Sequence, residues 1–305
     1  MSAPGSAAVK YAGLIGYPVQ HSLSPRMHNA AFDALGIEAR YDLWETPLSE
    51  LGARIQTLRA PEMFGANVTI PHKEAVLPWL DAIDAQAERI GAVNTIVNRA
   101  GRLVGYNTDA PGFLRALQEK AGPNFEMQGQ QIAILGNGGA ARGAAVALLD
   151  SQVSALFILG RTSAHIEVLL EHLRQRTGAR HLHGALLGTD VAQFYLEQAD
   201  VLVNTTSVGL KEGDETLLIE AEWLAPQTLV MDMIFNQPQT PLLRAAHARG
   251  CATLNGLSML LYQGTLAFEL WTGRAAPVEI MRTALMPKPE NAESQNGAGI
   301  APAGI

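Results

Sequence analysis

The chain has 305 residues, 48% hydrophobic and 17% charged, so it can bury a substantial core, and wholesale disorder is excluded. Lys and Arg number 22 against 29 Asp and Glu, a formal charge of −7 with no basic run, which sets aside a nucleic-acid backbone as partner. The longest uncharged stretch, Cys251 to Phe268, is interrupted by Asn255, Gly256, Ser258, Gln263 and Gly264 and is too polar for a membrane span. The opening residues lack the charged and apolar regions of a secretory signal, and Cys251 is the one cysteine. No intramolecular disulfide can form, and a cytoplasmic location is the expectation. There remain 29 glycines and 16 prolines to place.

Short apolar runs alternate with longer segments of helical period, the pattern of β-α units and a largely parallel sheet. Residues 12–16, 41–44 and 63–68 read as strands, and 25–35 and 50–58 as helices opened by Ser24 and Ser49 in N-cap position. Pro71 is expected to start a further helix with Lys73 in its first turn. After Gly91, AVNTIVN and GRLVGYNTD read as two short strands joined by a turn at 99–102, followed by a helix over about 110–120. The polar stretch AGPNFEMQGQ then reads as a hinge. A second series opens with QIAILGNGGAARGAAVALL, a strand, a glycine turn and a helix. ALFILGRT, a helix to Arg176, DVLVNTTSVG, TLVMDMIF and CATLNG continue it as four more strands with helices between. The apolar segment 256–272 is expected to pack back across both halves. Residues 1–8 and 287–305 read as disordered.

GNGGAARGA follows the apolar run 132–135 and opens a helix, the context that a dinucleotide-binding turn requires. Gly136 permits the tight turn, Gly138 lets backbone approach a pyrophosphate, and Ala141 takes the close-packing place. The helix mouth adds N–H donors and positive dipole. A strand-to-helix turn without ligand would use the same glycines. At the end of the next strand, LGRTSAH carries no carboxylate for the ribose hydroxyls of NAD. Arg161 offers a guanidinium for a 2′-phosphate instead, which favours NADP, or else is a solvated surface arginine.

In GYPVQHSLSPRMHN, Ser22 and Ser24 lie two apart in an extended segment and project to one side, at the mouth of a helix starting with Pro25. Two hydroxyls with free N–H groups suit a carboxylate, although Ser24 alone would serve equally as an N-cap. In GANVTIPHKE, Asn67 and Thr69 share one strand face, and Lys73 sits where a helix dipole disfavours a cation. Taken alone, a solvated surface lysine is the plainer reading. IGAVNTIV and GYNTDAPG supply Asn94 at a strand start and Asp109 before a helix, where Asp109 or Thr108 could be only a cap.

HSLSPRMHN, GANVTIPHK, GAVNT and GYNTDAPG in that order, followed by GNGGAARG, GRT, NTTSVG, DMIF and NGLSMLLYQG, resemble the shikimate dehydrogenase family from Tyr11 to Leu285. The resemblance implies a two-domain α/β fold. Residues 9–111 form an α/β substrate-binding and catalytic domain, completed by a helix at 257–285 that packs back across the cleft. Residues 112–256 form an NADP-binding Rossmann domain. The implied activity is reversible NADPH-dependent reduction of 3-dehydroshikimate to shikimate, on the chorismate route to aromatic amino acids. The implied protein is a monomer or homodimer with no metal and no nucleic-acid or membrane partner. Lys73 and Asp109 are the implied catalytic pair. Ser22 and Ser24 hold the substrate carboxylate, while Asn67, Thr69, Asn94 and Gln263 face ring hydroxyls. Gln263 lies four residues beyond Met259 and shares its helix face. Gly136, Asn137, Gly138, Gly139 and Ala140 cradle the pyrophosphate, Arg161 and Thr162 take the adenosine phosphate, and Met233 and Gly256 lie near the nicotinamide.

Three residues depart from the family pattern. Phe235 stands where many members have tyrosine, losing a hydroxyl toward the substrate carboxylate end. Such a bond is worth about 1 kcal/mol net, a several-fold loss of affinity. In the basic cluster Gly160 replaces asparagine and His165 replaces arginine. An imidazole is a weaker cation than a guanidinium at pH 7, which weakens the preference for NADP over NAD. Two competing readings are an NAD-preferring quinate/shikimate dehydrogenase and a non-catalytic sensor of shikimate or quinate. Ser22, Ser24 and Arg161 argue against the first, Lys73 and Asp109 against the second. His21, His28 and His72 lack partners at metal-ligand spacing, and His181 and His183 read as a surface pair.

Overall fold

Two glycine-punctuated series of apolar runs build two six-stranded sheets in the computed structural model, which describes residues 9–211 and 213–286. The expected disorder at 1–8 and 287–305 lies outside the described residues. The first series runs β1 (Lys10–Gly16), α1 (Ser24–Ala34), β2 (Ala39–Glu45), α2 (Leu51–Thr57), β3 (Gly65–Val68), β4 (Ala82–Ile83), α3 (Ala85–Ile90), β5 (Thr95–Arg99) and β6 (Arg102–Tyr106). Its strand order is β2-β1-β3-β5-β6-β4. β1 pairs parallel with β2 and β3, and the predicted hairpin β5–β6 adds antiparallel pairs, so this sheet is mixed.

Helix α4 (Asp109–Ala121) leads into the second series: β7 (Gln131–Leu135), α5 (Gly139–Asp150), β8 (Ala155–Gly160), α6 (Ser163–Thr177), β9 (Leu182–Leu186), α7 (Asp190–Gln198), β10 (Val201–Asn204), β11 (Leu229–Asp232), α8 (Pro241–Ala248) and β12 (Ala252–Leu254). Every pair in this sheet is parallel, in the order β12-β11-β10-β7-β8-β9. This is the doubly wound arrangement, and its order reverses between β7 and β10, where such sheets open a crevice at their carboxyl ends. Helices α9 (Leu257–Thr272) and α10 (Val278–Leu285) return to the first sheet. Trp271 of α9 donates from Nε1 to the Ile96 carbonyl of β5 at 2.9 Å, and Phe268, Met281 and Leu285 join Met27 and Phe32 of α1 in one core.

Five expectations need correction. The single helix expected at 257–285 is two, because Gly273 adopts φ +66° and Pro277 follows before α10. No helix starts at Pro71: the segment runs through turns, and the Lys73 carbonyl accepts from Val93 N at 2.8 Å instead of from a helical neighbour. The dipole argument at Lys73 therefore has no helix to act through. Ser24 is the first residue of α1 and not its cap, since Leu23 holds that position and no side chain caps the helix. Ser49 lies in a single 3₁₀ turn, and α2 follows it without a side-chain cap. β9 was not expected, because LHGAL is short, with the exposed His183 and Gly184 at its middle. Gly184 is required there, as a Cβ would come within 2.5 Å of Ile166 on α6.

Candidate active site

The two sheets face each other across a cleft of about 840 Å³. The first half contributes Ser22, Ser24, Asn67, Thr69, Lys73, Asn94 and Asp109, and helix α9 contributes Met259 and Gln263. The second half contributes Gly139, Ala140, Arg142, Met233, Phe235 and Gly256. The predicted substrate-side residues thus converge from the ends of β1, β3, β5 and β6 and from α9, although they span most of the sequence.

At the centre, Lys73 Nζ donates to Asp109 Oδ2 at 2.6 Å, with both side chains half-buried. Each is held from behind. The neighbouring His72 is fully buried, with Nε2 2.6 Å from the Thr46 carbonyl. On the other side Asn107 does the work expected of a cap, accepting from Ala110 N at 3.1 Å and donating to the Ala92 carbonyl at 3.0 Å. Asn94 accepts from Thr108 N at 2.7 Å and donates to Thr108 Oγ1 at 3.0 Å. Neither Thr108 nor Asp109 caps α4 with its side chain, which leaves the Asp109 carboxylate to the lysine.

Around this pair, Ser22 Oγ accepts from Ser24 N at 3.2 Å, which bends the two serines onto the cleft together. Asn67 is buried, and its amide nitrogen donates to the Asn94 carbonyl and Thr95 Oγ1 at 3.2 and 3.0 Å. Both amide hydrogens are thereby committed, so Asn67 turns only acceptor capacity toward a ligand. Tyr41, invisible to the sequence reading, donates to Asn67 Oδ1 at 2.8 Å and fixes that orientation. Burial drives the Tyr41 hydroxyl's pKa well above the usual phenol value. Gln263 donates to Leu260 O at 2.8 Å and keeps its second hydrogen and its oxygen free of such a bond. Its backbone packs so closely on α4 that a Cβ at Gly112 would meet Gln263 N at 2.6 Å.

Across the cleft, Gly136 adopts φ +110°, and a Cβ there would strike Thr205 Oγ1 at 2.6 Å, so this turn demands glycine. Gly138 is at the N-cap of α5, and a Cβ at Gly138, Gly139 or Gly143 would meet nothing within 4 Å. The first N–H groups of α5 lie beside that open space with no carbonyl one turn earlier to receive them. Gly160 is packed against Asn137 and Ile166, while Arg161, Thr162 and His165 are exposed beyond the end of β8. These last three do not line the cleft itself; they stand at the same carboxyl edge of the sheet as Gly136 and Asn137. Among the described residues Arg161 forms no ion pair. The loop with Met233 and Phe235 is anchored by Asp232, a fully buried carboxylate that accepts from Thr240 Oγ1, Asn204 Nδ2 and Ile234 N at 2.7, 3.1 and 3.1 Å. Burial raises its pKa, and those three bonds offset part of the rise. A Cβ at Gly256 would lie 2.1 Å from the Met233 carbonyl, so these two backbone segments touch.

The open glycine cradle, the exposed helix mouth and the uncommitted guanidinium of Arg161 fit a phosphorylated dinucleotide. Among the described residues no three His, Cys, Asp or Glu side chains group to hold a metal ion, and no helix is long and apolar enough to cross a membrane.

Three family models match the chain. Residues 14–96 match the shikimate dehydrogenase substrate binding domain, 117–224 the shikimate / quinate 5-dehydrogenase model, and 256–286 the shikimate 5'-dehydrogenase C-terminal domain. A shikimate dehydrogenase (NADP(+)) of Geobacillus kaustophilus is 45% identical over 273 residues, 90% of this chain and 96% of that protein. The chain belongs to the shikimate dehydrogenase family. The Thermus thermophilus shikimate 5-dehydrogenase solved with NADP(H) and shikimate superposes with a TM-score of 0.80 at 37% identity, covering 90% of this chain and 98% of that one. The Corynebacterium glutamicum quinate dehydrogenase solved with NAD shares the fold at 30% identity and a TM-score of 0.81, covering 90% and 98%. Of the functional residues missed in the sequence, Asn107 stands in the motif GYNTDAPG and Arg142 in GNGGAARG; Tyr41 carries no local signal.

Proposed function

We propose that the protein catalyses the reversible NADPH-dependent reduction of 3-dehydroshikimate to shikimate. The observation that carries this reading is the Lys73–Asp109 pair at 2.6 Å on one wall of a cleft whose other wall is the glycine mouth of α5. NADPH, when bound, supplies the hydride. Lys73 then donates a proton from Nζ to the oxygen that becomes the hydroxyl, and its positive charge stabilises the developing alkoxide. Asp109 accepts from Lys73, aims the ammonium group and bonds the adjacent substrate hydroxyl. In the oxidative direction the same nitrogen receives the hydroxyl proton.

In this reading Ser22 and Ser24 hold the substrate carboxylate, and Asn67, Thr69, Asn94 and Gln263 hold its hydroxyls. Gly136 to Ala140 receive the pyrophosphate. Arg161 and Thr162 take the 2′-phosphate with His165 at its edge, and Gly160, in the place of the family's asparagine, offers no side chain of its own. Met233 and Gly256 border the nicotinamide, and Phe235 closes the carboxylate end with an apolar ring. Residues 9–111 with α9 and α10 form the substrate domain and 112–256 the cofactor domain, α4 running across the junction. The protein acts as a monomer or homodimer. The buried free thiol of Cys251 accords with a reducing, cytoplasmic compartment.

Initial rates with shikimate and quinate, each with NADP and NAD, test the reading. Shikimate with NADP should give the highest kcat/KM. A higher value for quinate with NAD would replace it by the quinate reading, and binding without turnover by the sensor.

A further inference from the structure

Arg142 of α5 donates from Nη2 to Glu74 Oε1 and so forms an ion pair across the cleft. Glu74 directly follows Lys73, whose carbonyl is tied to Val93 N at 2.8 Å. Arg142 lies two residues beyond the glycine cradle, in the first turn of α5, and its own N–H donates to the Gly138 carbonyl at 3.0 Å. The pair therefore joins the lysine segment to the cradle with no intervening flexible linker. Its two ends differ: the Arg142 side chain is 20% exposed with a buried, unpartnered Nε, whereas Glu74 is 62% exposed. At the opposite end of α5, Asp150 accepts from Arg89 of α3 at 2.6 Å, so the helix is fastened to the first half at both ends. Between these two ends α5 packs Ala141, Ala144 and Ala145 into one buried core with Ile90, Ala92, Ala110 and Phe113, and the ion pairs flank that packing.

We propose that Arg142 and Glu74 are a positioning pair that sets the closure of the cleft, holding the cofactor cradle at a working distance from Lys73. Neither touches the reacting atoms. The kinetic consequence rests on the dehydrogenase reading above; the geometric one does not. A displacement of about 1 Å between reacting groups is enough to cost one to two powers of ten in rate.

The test has two arms. In a Cys251→Ser background, spin labels at the exposed positions Leu48→Cys and Val168→Cys report the distance between the halves. Glu74→Gln should lengthen and broaden that distance, the exchange of Glu74→Arg with Arg142→Glu should restore it, and Glu215→Gln, which breaks an exposed pair within the second half, should leave it unchanged. In the kinetic arm Glu74→Gln should lower kcat about ten-fold while the affinity for NADPH stays within about two-fold, and Glu74→Asp should retain most of the rate. Unchanged label distances in Glu74→Gln overturn the proposal, as does an exchange variant no closer to the parent than its single variants. A Glu74→Gln enzyme with the parent's kcat overturns the positioning role. If the parent itself turns over no substrate, the dehydrogenase reading fails, and the label distances still decide this one.

Discussion

At the scale of single residues, the proposed chemistry rests on one contact, Lys73 to Asp109 at 2.6 Å, which the buried His72, Asn94 and Asn107 flank. Lys73→Ala should lower kcat by at least ~10² with little change in KM, the size expected of general acid catalysis; steady-state rates check it, and retained turnover would remove Lys73 from the role. Phe235 lines the cleft and is 38% exposed, so a hydroxyl can be added without displacing core. Phe235→Tyr should lower KM for shikimate several-fold, by about 1 kcal/mol of binding, with kcat little altered. The residues that would touch ligand were legible because their types are conspicuous where they stand: paired serines before a proline, a lysine and an aspartate in polar motifs. The residues that aim them were not. Tyr41 reaches Asn67 across 26 positions and Arg142 reaches Glu74 across 68, distances over which local spacing carries no information.

At the scale of elements, the alternation of apolar runs with helical segments was enough to locate most strands and the loop between α4 and β7 that links the two series. It failed where tertiary contacts overrode local pattern. β9 exists because its backbone completes the edge of a parallel sheet against β8, and the turns after Pro71 exist because the Lys73 carbonyl finds Val93. Glycines likewise divide by what surrounds them. Gly136, with φ +110° and Thr205 against it, serves the fold, whereas Gly138 has nothing within 4 Å and an ordinary extended backbone. Gly138→Ala should therefore melt no lower than the parent, because the added methyl is accommodated and the unfolded chain is stiffened. The same methyl occupies space on the cradle and should raise KM for NADPH by about ten-fold, roughly 1.4 kcal/mol of lost binding. Thermal melts alongside cofactor titrations separate the two effects; a lower melting temperature with unchanged KM would contradict the division.

At the scale of the whole molecule, a buried histidine ties stability to pH. His28 is fully buried, its ring stacked on Tyr41 at a centroid distance of 4.4 Å, and neither nitrogen has a hydrogen-bond partner. Burial lowers its pKa to about 3. The unfolded chain, with an imidazole near 6.5, takes up the proton first, so stability is full above that value and falls as pH drops through the window toward 3. The slope is about 1.4 kcal/mol per pH unit, hence about 2 kcal/mol lost by pH 5. His172, lowered by its own burial and then by Arg142 and Arg176, adds in the same direction. Urea midpoints at pH 7 and pH 5 should show this loss, and His28→Phe should remove most of it; an unchanged slope in the variant would assign the effect elsewhere.

The return of α9 and α10 to the first sheet also sets a timetable for synthesis. When the ribosome has delivered the chain through β12, the second sheet has all its strands and can close its core, but the first still lacks the partners of Met27, Phe32 and the Ile96 carbonyl. The half that emerges first must wait, with its apolar surface open, for segments made some 175 residues after β5. In order of translation the cofactor half is an insertion inside the substrate half, and the earliest strand made belongs to the last sheet finished.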